Sequence, residues 1–72
     1  MKELDKLIER LKKEYGENGV YAILRDKKNR LSIKDKHFEA VNDIIYFLWG
    51  LNATNYIDDE TRKKIFNEIL NS

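Results

Sequence analysis

The chain contains no cysteine and no proline, three glycines and one histidine among 72 residues. Without cysteine there are no disulfides, thiolate metal sites or thiol nucleophiles. Small secreted folds usually depend on such cross-links, so the expected setting is reducing, intracellular and cytoplasmic. With His37 the sole imidazole, first-row metal sites lack ligands, and no acid-and-glycine spacing of the calcium-loop type is present. The three glycines, Gly16, Gly19 and Gly50, fit no phosphate-cradling spacing. Hydroxyl nucleophiles are limited to Ser32, Thr54, Thr61 and Ser72. The expectation is therefore a protein that is not an enzyme, with no cofactor and no metal.

No apolar run approaches the ~18 residues of a membrane span, the longest being Ile44 to Trp49. Charges at every second or third position of MKELDKLIERL argue against a signal peptide. The carboxylates offer ordinary explanations too. Glu39 and Asp43 share a helix face at i, i+4, and Asp58, Asp59 and Glu60 stand where a helix start favours negative charge.

What the chain does have is helical and amphipathic patterning. Leu4, Leu7, Ile8, Leu11 and Tyr15 form one stripe, which predicts a helix over about 2–15 with Gly16 at its end. Val20 to Arg25 is rich in β-formers, Asp26-Lys27-Lys28-Asn29 suits a turn, and Arg30 to Lys34 resumes the β pattern. This predicts a β-hairpin over about 20–34, with Tyr21, Ile23, Leu31 and Ile33 on one face. A helix over about 36–51 follows, its stripe being Phe38, Val41, Ile45 and Leu48, widened by Ile44 and Leu51. Asp58 caps a last helix over about 59–70, with Ile65, Phe66, Ile69 and Leu70 inside. The predicted fold is a compact single α+β domain, in the order helix, hairpin, helix, helix, with a two-stranded antiparallel sheet packed on the helices.

Two features are candidates for function. Residues 1–36 carry 11 basic and 7 acidic side chains, against 3 and 6 in residues 37–72, so the basic excess lies in the first half. It peaks at Arg25, Lys27, Lys28, Arg30, Lys34 and Lys36, which on a protruding hairpin would suit phosphate or an acidic protein surface. The second feature is aromatic. Tyr46, Phe47 and Trp49 crowd one end of the third segment, with Tyr56 close by and Tyr21 available from the hairpin. Uncovered Tyr and Trp side chains with a charged rim are the anchors of protein interfaces.

Ten Lys against four Arg, with eight Ile and seven Asn, have the bias of an AT-rich genome. Together these features predict a small phage- or mobile-element-type inhibitor or adaptor. It would cover a site on a larger host protein, such as a nucleic-acid-handling or defence enzyme, and serve anti-defence. The alternatives are a nucleic-acid-binding module using Arg25–Lys36, and a homodimeric interaction domain completed through Trp49.

Overall fold

The computed structural model describes residues 1–72 and contains helices only. They are α1 (Lys2–Tyr15), α2 (Val20–Arg30), α3 (His37–Ala53) and α4 (Asp59–Leu70), with a short 3-10 turn at Lys34–Lys36 leading into α3. The α+β expectation is therefore wrong. The segment read as a hairpin is α2 followed by a turn. Its β-forming side chains have a weak helix penalty, a few tenths of a kcal/mol each, and tertiary burial outweighs it. Tyr21, Leu24 and Leu31 fall at i, i+3 and i+10, on one side of a helix, and all three are buried. Along that helix Arg30 pairs with Asp26 at 3.0 Å and Arg25 reaches the Tyr21 hydroxyl, both i, i+4 contacts that a strand cannot make. An isolated two-stranded hairpin would have left these apolar groups half wet.

Each helix lies beside two others, α1 and α3 each packing on α2 and α4. The pairs run antiparallel. Asp5 of α1 meets Lys28 of α2 while Lys12 lies over Tyr21, and Glu3 meets Glu68 of α4 while Arg10 reaches Tyr56. On the far side Lys27 of α2 meets Asp43 of α3 at 3.6 Å, and Asn52 of α3 accepts from Arg62 of α4. Short connections make this up-and-down ring the natural solution for four amphipathic helices. The core comprises Leu4, Leu7, Ile8 and Leu11 from α1, Tyr21 and Leu24 from α2, Ala40, Val41, Ile44 and Leu48 from α3, and Ile65 and Ile69 from α4, closed by Leu31 and Ile57. Tyr15, expected on the inner stripe of α1, is exposed and leans on Tyr56 with ring centroids 6.1 Å apart.

The ends of the helices are satisfied in three different ways. The α1 N-terminus has no cap of its own, and Glu68 of α4 supplies one from across the bundle. Its carboxylate accepts from the amides of Glu3 at 2.6 Å and Leu4 at 3.0 Å. Asp58 caps α4 locally, accepting from the Thr61 amide at 2.8 Å, and the Thr61 side-chain hydroxyl, followed by that amide, holds its carboxyl below the usual carboxylate range. After α3, Asn55 turns left-handed at φ 64°, and the Tyr56 and Asn55 amides fold back onto the carbonyls of Leu51 and Asn52. This is the Schellman arrangement, with Asn doing what Gly usually does.

The borrowed cap yields a first test. Glu68→Ala should lower stability by about 1 kcal/mol. Hydrogen exchange should accelerate at the Glu3 and Leu4 amides and not at the Thr61 amide. Equal acceleration at both helix starts would mean that Glu68 does not act as the α1 cap.

Candidate interaction surface

The six basic residues do not form one protruding tip. Arg25, Lys27, Lys28 and Arg30 lie along α2, while Lys34 and Lys36 sit in the 3-10 turn. Three of them already have acidic partners: Lys27 with Asp43, Lys28 with Asp5, and Arg30 with Asp26. Surface pairs of this kind contribute little stability, about 0–1 kcal/mol each. They do cancel local charge. Arg25 lies over the neutral Tyr21 ring at 5.3 Å and keeps its charge, so Arg25, Lys34 and Lys36 are the three of the six without an acidic partner.

His37 opens α3 and its Nδ1 lies 2.8 Å from the Leu31 carbonyl oxygen. A carbonyl only accepts, so Nδ1 carries the proton and donates. That bond ties the turn after α2 to the start of α3. Of the paired acids on α3, Asp43 is engaged by Lys27, and Glu39 stands exposed.

Of the aromatic candidates one is buried, one half-buried and two exposed. Tyr21 is buried in the core, and the Tyr56 ring lies beneath the Arg10 guanidinium at 4.0 Å. Tyr46 is 76% exposed and Trp49 48% exposed. Phe38, expected inside, is 84% exposed, and Leu70, also expected inside, is 63% exposed. The reason is geometric. At about 100° per residue, Phe38, Asn42, Ile45 and Trp49 fall within roughly 60° of arc on α3, and Tyr46 borders them. The buried arc, Ala40, Val41, Ile44 and Leu48, is centred about 120° round the helix from it. Helix α3 has apolar residues on both arcs, and α2 and α4 cover one of them.

Helix α4 extends this outer strip. Trp49 meets Phe66 edge to face, with centroids 5.8 Å apart, and Asn52 meets Arg62. One turn further along each antiparallel helix from the Trp49–Phe66 contact, Leu70 falls level with Ile45. Arg62 is buried, its guanidinium 3.9 Å from the centre of the Trp49 ring while Nε donates to the Asn52 side chain at 2.9 Å. The indole is thus held by a cation and by the Phe66 ring, and about half of its surface faces water. Phe38, Asn42, Tyr46, Trp49 and Leu70 together present an uncharged, aromatic surface. The one charge in contact with it is the Arg62 guanidinium, which is buried beneath the Trp49 ring and not presented on the surface. Sequence reasoning picked out Tyr46 and Trp49 and missed Phe38 and Leu70. The available signal was that α3 has more apolar positions than one stripe can hold.

A second polar cluster lies where α1 meets the loop before α4. The Tyr56 hydroxyl donates to Glu14 Oε2 at 2.7 Å, and Arg10 donates to both Glu14 and the Tyr56 carbonyl. Loss of hydration and the bond to Glu14 push the Tyr56 phenol up to about 12. The same bond, with Arg10 beside it, holds Glu14 below its usual range. Because the fold favours the neutral phenol, its stabilising contribution is complete below about pH 10, the ordinary Tyr value. It is lost as pH rises from there through about 12. The Glu14 contribution has the opposite sense, present above the ordinary carboxylate value and lost as pH falls. Alkaline titration of phenolate absorbance should show a group ionising near pH 12 that disappears in Tyr56→Phe. A Tyr56→Phe titration identical to that of the unchanged protein would contradict this.

The surface concavities are shallow. One runs along α1, lined by Lys2, Asp5, Lys6 and Glu9 among other charged residues and by no hydrophobic side chain, and a slightly larger one is lined by Met1, Lys28, Leu31 and His37 among others. No helix is long and apolar enough to cross a membrane. Compared with protein-family models, curated proteins and solved structures, the chain matches none.

Proposed function

We propose that this chain is a non-enzymatic protein-binding module that docks through the outer face of α3 and α4. In this reading it acts as an inhibitor or adaptor of phage or mobile-element type, in the cytoplasm, covering a site on a larger host protein. The observation that carries the reading is the exposure of Phe38, Tyr46 and Trp49 along one arc of a single helix. Leaving that much aromatic surface in water is a standing cost to a small fold, and interfaces draw their anchors from such residues. The indole is also held in place by Arg62 and Phe66, so little ordering entropy remains to be lost on docking. The catalytic inventory supports the non-enzymatic part, since its one imidazole is occupied in joining α2 to α3.

The nucleic-acid alternative has weaker support, because Lys27, Lys28 and Arg30 are engaged by acids of the fold. An affinity capture from host lysate separates the two. The immobilised protein should retain a stoichiometric protein partner, still bound at ~0.5 M salt, where phosphate contacts have largely failed. Retention should be lost in Phe38→Ala/Tyr46→Ala and kept in Lys27→Ala/Lys28→Ala/Arg30→Ala. A partner lost with the basic triple and kept with the aromatic double overturns the proposal.

A further inference from the structure

We infer that the α3–α4 face also takes a second copy of this chain, so that self-association and partner docking compete for one surface. The inference rests on reading this face as a docking surface, and it names an occupant. Three observations favour a copy of the same chain. The first is area. Aromatic side chains bring about 150–250 Å² each. The exposed parts of Phe38, Tyr46, Trp49 and Leu70 then leave roughly 500–600 Å² uncovered. Two such faces bury roughly 1,000–1,200 Å², the lower end of what a specific interface needs.

The second is the lack of charge on the strip. An uncharged apolar surface meets its own copy with no like-charge pair forced together at its centre. The third is Asn42. It is the only amide in the middle of the strip, exposed, and lies between Phe38 and Trp49 on the same arc. An amide is both donor and acceptor, so two copies related by a two-fold axis can satisfy each other. Pairing α3 antiparallel on α3 about that point brings Phe38 of one copy, about 6 Å along the helix from the axis, level with Tyr46 of the other.

The sole tryptophan, Trp49, reports the event directly. Sedimentation equilibrium of the whole protein from ~5 μM to ~1 mM should show a monomer of 8.6 kDa giving way to its dimer. Trp49 emission should shift to the blue over the same concentration range. Asn42→Lys, which sets two like charges together at the axis, and Phe38→Glu should each weaken the dimer at least tenfold, with unchanged helical circular dichroism. A monomer throughout overturns the inference, as does a dimer that neither substitution weakens. So does a blue shift that appears only on adding phosphatidylcholine–phosphatidylglycerol vesicles, which would assign the face to lipid. None of these outcomes depends on the capture experiment, whose failure would remove the docking reading while a measured dimer stood.

Discussion

Leu24→Ala is expected to destabilise the protein by about 2–5 kcal/mol, while Ile23→Ala, one residue earlier, shifts it by less than about 0.5 kcal/mol. Leu24 is fully buried at the centre of α2, between α1 and α3, and Ile23 on the same helix is 48% exposed. Removing the Leu24 side chain beyond Cβ takes away its transfer energy and leaves a cavity that rigid neighbours close only in part. Against a total stability of roughly 4–11 kcal/mol for a chain this long, that loss is large enough to unfold much of the population on mild heating. Urea denaturation followed by circular dichroism measures both variants. The contrast also separates the two conformations considered for residues 20–34. In a hairpin whose buried face holds Tyr21 and Ile23, Ile23 is inside and Leu24 outside, so the order of the two costs reverses.

Helices α1 and α4 were legible because each has one apolar stripe, charged residues opposite and a recognisable end. Gly16 closes α1 with φ 84°, and Asp58 caps α4 through the Thr61 amide. Helix α2 was not. Val20, Tyr21, Ala22, Ile23 and Leu24 are five apolar residues in succession, a pattern in which periods of 2 and 3.6 both find support. Two details favour the helix. The proposed turn Asp26-Lys27-Lys28-Asn29 has no glycine, and Tyr21, Leu24, Lys28 and Leu31 keep helical spacing straight through it. Lys28 occupies the stripe because its stem lies along the bundle while its ammonium reaches Asp5.

The misread of α2 also displaced the reading of the surface. A sheet packed over α3 would have covered Phe38, whereas a ring of four helices gives α3 two neighbours and leaves its outer arc bare. Which arc of an all-round apolar helix is buried depends on how many elements surround it, and periodicity within the helix does not contain that number. For the same reason Tyr46 and Trp49 stood out by composition while Leu70 did not. Tyr56 was drawn away from the strip by the left-handed Asn55, which directs the chain back toward α1 and its Arg10. The basic cluster was legible as charge but not as free charge. Asp5 and Asp43 are 23 and 16 residues from their lysine partners, and only the bundle brings them together.

Arg62→Ala should cost about 2–4 kcal/mol and redden Trp49 emission as the indole gains water. Arg62 is the one charged residue counted among the buried, and it has no acid beside it. Its compensation is local: Nε donates to Asn52 Oδ1, and the guanidinium stacks on Trp49 and lies 5.2 Å from the Phe66 ring centre. A hydrogen bond from a charged donor contributes about 1.5–3 kcal/mol and a desolvated cation–π contact up to about 2, with partial overlap between them. Truncation also strips the Asn52 oxygen of its partner while its amide still donates to the Ile57 carbonyl at 3.1 Å, so the loop between α3 and α4 loosens. Arg62→Lys should recover less than half of the loss, because an ammonium has no planar face to lay on the indole and cannot reproduce the guanidinium's fixed donor geometry. Chemical denaturation gives the stability and steady-state fluorescence the position of the ring. A full rescue by lysine would show that charge alone holds Trp49. A partial rescue with a mobile indole would tie the rigidity of the docking face to this one stacked guanidinium.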